Sequence, residues 1–246
     1  MKTLSIIIPA YNEARRLPRT FQLLKTALEG GVFQAVELKE ILIVDDGSTD
    51  QTREVAESGK AILPFIRLVP VSLNQGKGNA IHTGLKEATA DWCLIADADS
   101  ATPWNQFERL IQACAPNGEM KIPISMGSRD LPESDVRTKQ SWVREHMGRT
   151  FNFIVRVITQ LPYRDTQCGF KLIYKKSITS LLPKLRVKRF AWDVEFLMFA
   201  RAQGLSIQEV AVVWEHQDAS SVSPIKDSVE MLLRVIEMRI RVWFGP

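Results

Sequence analysis

Residues 41–50 read Ile-Leu-Ile-Val-Asp-Asp-Gly-Ser-Thr-Asp: an apolar run that breaks at once into carboxylates, a glycine and small polar side chains. A short apolar run without alternation is what a strand looks like when both faces of its sheet are covered. The break puts Asp45 and Asp46 at the carboxyl end of that strand, where open α/β sheets bind their ligands. The same design recurs on either side. Leu4 to Ile8, Leu68 to Val71, Cys93 to Ala96 and Ile124 to Gly127 are further apolar runs, and helical patterns lie between them at Ala14 to Glu29, Asp50 to Ser58, Lys77 to Ala88 and Trp104 to Cys114. This alternation predicts βαβ units and an α/β fold, a Rossmann-like, mostly parallel sheet flanked by helices.

Beyond residue 137 the pattern changes to a helical stretch Ser141 to Gln160, a strand Lys171 to Tyr174, a helix Asp193 to Gln203 and a strand Ile207 to Trp214. No repeat, low-complexity tract or Gly/Ser linker marks a boundary, so residues 1–246 are expected to form a single domain. The polar segment Asp130 to Lys139 is the expected mobile loop.

Charge divides the chain. Residues 1–136 hold 14 Lys/Arg against 18 Asp/Glu, a net of −4, whereas residues 137–189 hold 13 against 2, a net of +11. Such a basic block is an ordinary solvated face or a surface for phosphate-bearing partners: nucleic acid, a phosphorylated substrate or an anionic membrane. No zinc-finger, RRM or helix-turn-helix signature supports nucleic acid, which is not expected as a partner. Cys93, Cys114 and Cys168 form neither a CxxC pair nor a disulfide framework, which fits a reducing, cytoplasmic setting. Leu4 to Ile8 is too short for a signal peptide, and no later run reaches the roughly 18 apolar residues of a membrane span.

The strand ends carry the chemistry. Asp97-Ala98-Asp99 offers two carboxylates that can share one hard divalent cation, Mg2+ or Mn2+, together with substrate phosphates. An isolated DxD also occurs as a turn in which Asp side chains cap backbone groups. Asp46 can accept hydrogen bonds from ribose hydroxyls or a base N–H, while Asp50 is better placed to cap the next helix. Asn74 to Ala80 reads NQGKGNA, with glycines that let backbone approach a ligand and Lys77 as a point charge for phosphate. Neither GxxxxGK[ST] nor GxGxxG is present, which counts against ATP or NAD chemistry.

Taken together, IIIPAYNE (6–13), VDDGSTD (44–50), NQGKGNA (74–80), DAD (97–99), GSR (127–129) and DTQCGFK (165–171) make the chain resemble the family 2 glycosyltransferases with a GT-A fold. It looks most like the dolichyl-phosphate or polyprenyl-phosphate glucosyltransferases, and next like the dolichyl-phosphate mannose synthases. The resemblance implies a nucleotide-sugar half over residues 1–136 and an acceptor half over residues 137–246. It implies that Pro9, Tyr11, Glu13, Val44 and Asp46 hold the nucleoside, that Asp97 and Ala98 line the donor site, that Asp99 is the main metal ligand with Asp97 nearby, and that Arg129 meets the diphosphate or the acceptor phosphate. Mannose synthases of this group usually place a Gln where this chain has Ala101, which counts against mannose and leaves the metal shell incomplete; His216 could complete it, although a lone His after a strand is commonly structural. DTQCGFK favours the glucose branch, with Lys171 adding positive charge. Asp193 and Glu195 stand at a helix start that favours carboxylates, and in relatives an acid near here serves as base.

The resemblance thus implies an inverting transfer of a hexose, glucose from UDP-glucose, to a polyprenyl phosphate. An ionised lipid phosphate hardly needs a base, whereas a hydroxyl acceptor makes Asp193 the leading candidate. At Ser228 to Phe244, Val229, Leu232, Leu233, Ile236, Ile240 and Trp243 fall on one helical stripe, with Glu230–Arg234 and Glu237–Arg241 as i,i+4 pairs. That helix is expected either to pack on the domain or to lie in the interface of an anionic membrane, peripherally and on its inner face. The alternatives are a GDP-mannose-dependent mannosyltransferase, a family 2 transferase with a hydroxyl acceptor, a nucleotidyltransferase, which would place a glycine-rich loop where PAYNE stands, and a non-catalytic nucleotide-sugar binder.

Overall fold

The computed structural model describes residues 2–137, 152–215 and 224–244. Strands β1 (Thr3–Ala10), β2 (Glu37–Asp45), β3 (Ile66–Pro70), β4 (Trp92–Ile95), β5 (Ile124–Ser128), β7 (Lys171–Tyr174) and β8 (Ile207–Ala211) form one sheet in the order β3-β2-β1-β4-β7-β5-β8. Helices α1 (Leu17–Glu29), α2 (Thr52–Ser58), α3 (Lys77–Glu87), α4 (Gln106–Cys114), α5 (152–159), α6 (Trp192–Ala202) and α7 (Pro224–Phe244) accompany it. All pairings are parallel except those of β7, which runs antiparallel between β4 and β5. A short second sheet pairs β6 (Asp135–Val136) with β9 (Val213–Trp214). It takes up part of the polar segment expected as a loop.

Both faces of the main sheet are covered, as the unbroken apolar runs require. In β1, Ile6 and Ile8 join one apolar cluster and Ile7 the other; in β2, Ile41 and Ile43 face one way and Leu42 and Val44 the other. The chain winds outward from β1 through β2 to β3 and then returns to place β4 on the other side of β1. The carboxyl ends of β1 and β4 therefore flank the point where strand order reverses, the crevice in which such sheets bind ligands.

Helix α7 corrects the stripe read from the sequence. Met231, Val235 and Met238 are its buried face, at 9%, 0% and 1% exposure, while Leu233, Ile236 and Ile240 point outward at 64%, 43% and 54%. Glu237 pairs with Arg234 and not with Arg241, while the side chain of Glu230 lies outside the described residues. Arg234 meets Glu237 at 2.7 Å, and Arg241 reaches Glu195 of α6 at 2.8 Å. Among the described residues no helix is long and apolar enough to cross a membrane.

Candidate active site

The crevice between β1 and β4 gathers Glu13, Asp97 and Asp99. Lys77, the first residue of α3, reaches Asp97 with its ammonium 2.5 Å from Oδ1. Burial opposes ionisation of Asp97, yet Lys77, Lys171 and Arg129 outweigh it and hold the carboxyl below its usual range. Burial pushes Asp99 the other way, and the neighbouring Asp97 adds to the rise. Glu13 is raised by burial too, against the pull of Arg16, with small contributions from Asp99 and Asp97. Three carboxylates crowd together here, with Lys77 paired to Asp97 and Arg16 to Glu13. A further cation would relieve that repulsion, so the donor set fits a divalent ion. Asp99 Oδ1 accepts only the Ala101 N–H, at 3.0 Å, among the described contacts. Among the described residues no third His, Cys, Asp or Glu completes a metal cage. His216 lies outside the described residues.

A cavity of about 90 Å3 opens beside this pair, lined among others by Asp97, Asp99, Arg129, Gln167, Gly169 and Trp214. Arg129 is aimed into it by Asp165, which is fully buried and takes the guanidinium at 2.6 Å (Nε) and 2.9 Å (Nη2). Burial opposes the Asp165 charge, but Arg129 outweighs it and keeps the carboxyl below its ordinary value. The same guanidinium lies 5.6 Å from the Trp214 ring centre, a cation–π contact. Gly169 presses on the DAD directly, since a Cβ there would stand 2.1 Å from Asp97 Oδ2.

Some residues expected at the surface of the site lie behind it. Val44 and Ala98 are buried, Val44 against Gly84 of α3 and Ala98 with its carbonyl accepting from Thr20 Oγ1 at 2.6 Å. Pro9 is buried in β1, while Tyr11 is 43% exposed. Asp46 accepts the N–H groups of Gln75 (3.1 Å) and Gly76 (2.6 Å) and so anchors the NQGKGNA turn; burial raises its carboxyl despite those bonds. Gly76, at φ +108°, takes a conformation that suits glycine alone. Asp50 bonds the Thr52 N–H at 3.0 Å and the Ala14 N–H at 3.2 Å, so it ties the start of α2 to the loop after β1, although Gln51 and not Asp50 is the cap residue of α2. Lys171 is fully buried and gives its ammonium to Asp193 at 2.6 Å and to the Cys168 carbonyl. It steadies Asp193 from within rather than facing a ligand.

Trp214, Gln167 and the Asp165 clamp are not expected from the sequence. Asp165 stood inside a quoted motif, and its partner, 36 residues away, gave no local signal. Trp214 at a strand end was the one available hint.

The family model described as "Glycosyl transferase family 2" matches residues 5–182. The chain belongs to glycosyltransferase family 2. Curated relatives extend over almost all of it. A dolichyl-phosphate beta-glucosyltransferase of Dictyostelium discoideum is 35% identical, covering 98% of this chain and 75% of that protein. The protein of the same name from Homo sapiens is 32% identical over 99% of this chain and 77% of its own length. Among solved structures, glucosyl-3-phosphoglycerate synthase from Mycobacterium tuberculosis in complex with UDP superposes over 100% of this chain and 81% of that one, with a TM-score of 0.68 at 19% identity. The same enzyme, at TM-score 0.68 and 18% identity, was crystallised with Mn2+, UDP-glucose and phosphoglyceric acid. At that identity the likeness establishes the GT-A fold for this family 2 chain. As a family 2 glycosyltransferase, it is a hexosyltransferase.

Proposed function

We propose that this enzyme transfers glucose, with inversion, from UDP-glucose to a polyprenyl phosphate of the dolichyl type. One observation carries the reading: Gly169 of DTQCGFK closes on Asp97 of DAD, so the motif that favours the glucose branch forms one wall with the carboxylate pair, and Ala101, the other residue that counts against mannose, is buried two residues beyond it. Near-full-length relatives named dolichyl-phosphate beta-glucosyltransferase support the same donor and acceptor.

UDP-glucose carries an α-linked sugar, so a β-glucosyl product entails inversion. An oxygen of the acceptor phosphate attacks the anomeric carbon, the bond from that carbon to the diphosphate breaks, and UDP leaves with the electron pair. Because the attacking phosphate is already ionised, positioning and charge carry the step. Arg129, fixed by Asp165, supplies a rigid positive group at the cavity. Asp193, held by Lys171, shapes the field and is not needed as a base; a hydroxyl acceptor would reverse that assignment. Pro9, Tyr11, Glu13, Val44 and Asp46 frame the nucleoside. We assign Mg2+ or Mn2+ to Asp99 with Asp97, and to His216 as a further ligand: Glu215, just before it, donates its N–H to the Ala101 carbonyl at 2.8 Å. When bound, the ion would neutralise the departing diphosphate.

We read residues 1–246 as one domain, because β7 from the second half is paired between β4 and β5 of the first. A lipid acceptor supports a peripheral position on the cytoplasmic face of an anionic membrane, with the exposed face of α7 turned to it. The test is incubation with labelled UDP-glucose, Mn2+ and a short-chain polyprenyl phosphate. Label is expected in the organic extract, and Asp99→Ala should leave it there only at background. Label confined to the aqueous phase would end the lipid-phosphate reading.

A further inference from the structure

Glu195, in the first turn of α6, is fully buried, and both of its oxygens are engaged. Oε2 accepts the backbone N–H groups of Arg186 at 2.9 Å and Val187 at 2.8 Å, while Oε1 accepts Arg241 Nη1 of α7 at 2.8 Å. Arg241 is itself fixed, since it donates to the Lys184 carbonyl at 3.0 Å and lies 5.4 Å from the Phe199 ring centre. Glu195 lines no part of the cavity beside Asp97, so it is not placed to take a proton from an acceptor. What it holds is the backbone at residues 186–187.

That backbone runs on against the NQGKGNA turn. The Lys188 carbonyl accepts the Asn79 N–H at 2.9 Å, and Lys188 Nζ donates to Gln75 Oε1 at 2.6 Å. The two surfaces leave no room for a side chain: a Cβ on Gly76 would stand 2.7 Å from the Lys188 carbonyl oxygen, and one on Gly78 would stand 2.8 Å and 2.9 Å from those of Arg189 and Val187. Lys77 stands between these glycines and reaches Asp97. Asp46 grips the start of the turn through the N–H groups of Gln75 and Gly76, and residues 187–189 grip its end. We propose that Glu195 is a positioning residue for Lys77: paired with Arg241 of α7, it fixes residues 186–189, whose carbonyls set the turn from which Lys77 meets Asp97. Through Arg241 the seating of α7 is thereby linked to the donor side of the crevice, more than forty residues from either end of that link in sequence.

The test is a double-mutant cycle on the full chain, read by calorimetric titration of UDP in the presence of Mn2+ and without acceptor. Glu195→Gln keeps the size of the side chain and removes its charge. It is expected to weaken UDP binding about tenfold when Lys77 is present, and by less than about twofold in a Lys77→Met background, because the loss passes through that lysine. Equal loss in both backgrounds would make Glu195 a general support of the fold and overturn the proposal. Gly78→Ala forces the same two surfaces apart without touching Glu195; it should give a similar loss with the same dependence on Lys77, so the question stays decidable should Glu195→Gln fail to fold. Hydrogen exchange of the protein without ligand needs no donor: the amides of Gln75, Gly76 and Asn79 should exchange about tenfold faster in Glu195→Gln, with those of β1 unchanged. Unchanged exchange at residues 75–79 would also overturn the proposal. Only the choice of nucleotide rests on the UDP-glucose reading. An unaltered protein that does not bind UDP would count against that reading, and the exchange measurement would then decide the role of Glu195.

Discussion

Gly169 and Asp97 meet with no side chain between them: a Cβ on Gly169 would stand 2.1 Å from Asp97 Oδ2. The backbone of DTQCGFK thus forms the wall that keeps this carboxylate against Lys77. Asp97 is the flexible end of a side chain and can swing away, so a methyl group at position 169 should displace the carboxylate without undoing the fold. Gly169→Ala is expected to lower kcat/KM by about 10²-fold or more, since small misplacements at a reacting centre cost that much, while costing less than about 1 kcal/mol of stability. Steady-state kinetics and thermal unfolding on one preparation check this. Normal kinetics would mean that the contact has no catalytic consequence.

The buried Lys171–Asp193 pair makes a different demand. Lys171 has no exposure and Asp193 very little, so removing the ammonium takes from a buried carboxylate its hydrogen-bonded counter-ion and leaves Lys77 to act on it only through space. Lys171→Met should destabilise the enzyme by about 3–5 kcal/mol, visible as a large drop in melting temperature. Unchanged stability with a raised donor KM would instead place the ammonium on the donor.

Metal binding should depend on pH through Asp99. Burial and the Asp97 charge raise its carboxyl above the usual range, and a protonated carboxyl is a poor ligand. Mn2+ affinity should therefore be full above the raised pKa and fall as pH drops through it, at higher pH than for an ordinary Asp. Asp97→Asn removes the like charge, so binding should weaken overall while its pH midpoint moves down. Titration of Mn2+ by electron paramagnetic resonance across the acid range measures both. A midpoint that does not move would remove Asp97 as a cause.

The parallel part of the sheet was legible because each strand is an apolar run that ends in polar groups, as at Ile41–Asp46 and Cys93–Asp99. The antiparallel insertion of β7 was not. Four residues, Lys171–Tyr174, say nothing about which strands will flank them, and the fully buried Lys171 reads as a surface residue until Asp193 is seen beside it. In α7 two apolar stripes run along one helix, and periodicity alone could not tell that Met231, Val235 and Met238 face the core rather than Leu233, Ile236 and Ile240. At the site, the strand-end carboxylates could be read from their position. The Asp165–Arg129 clamp could not, because it is a long-range pair.

The proposed reaction carries glucose from UDP-glucose onto a lipid phosphate. The measurement that tests it most directly gives the enzyme, with Mn2+ and one short-chain polyprenyl phosphate, UDP-glucose and GDP-mannose at equal concentration, each with a different sugar label, and determines the anomeric configuration of the lipid product. A β-glucosyl polyprenyl phosphate with little mannose incorporated is expected. Equal or greater mannose transfer, or an α-linked product, would contradict it.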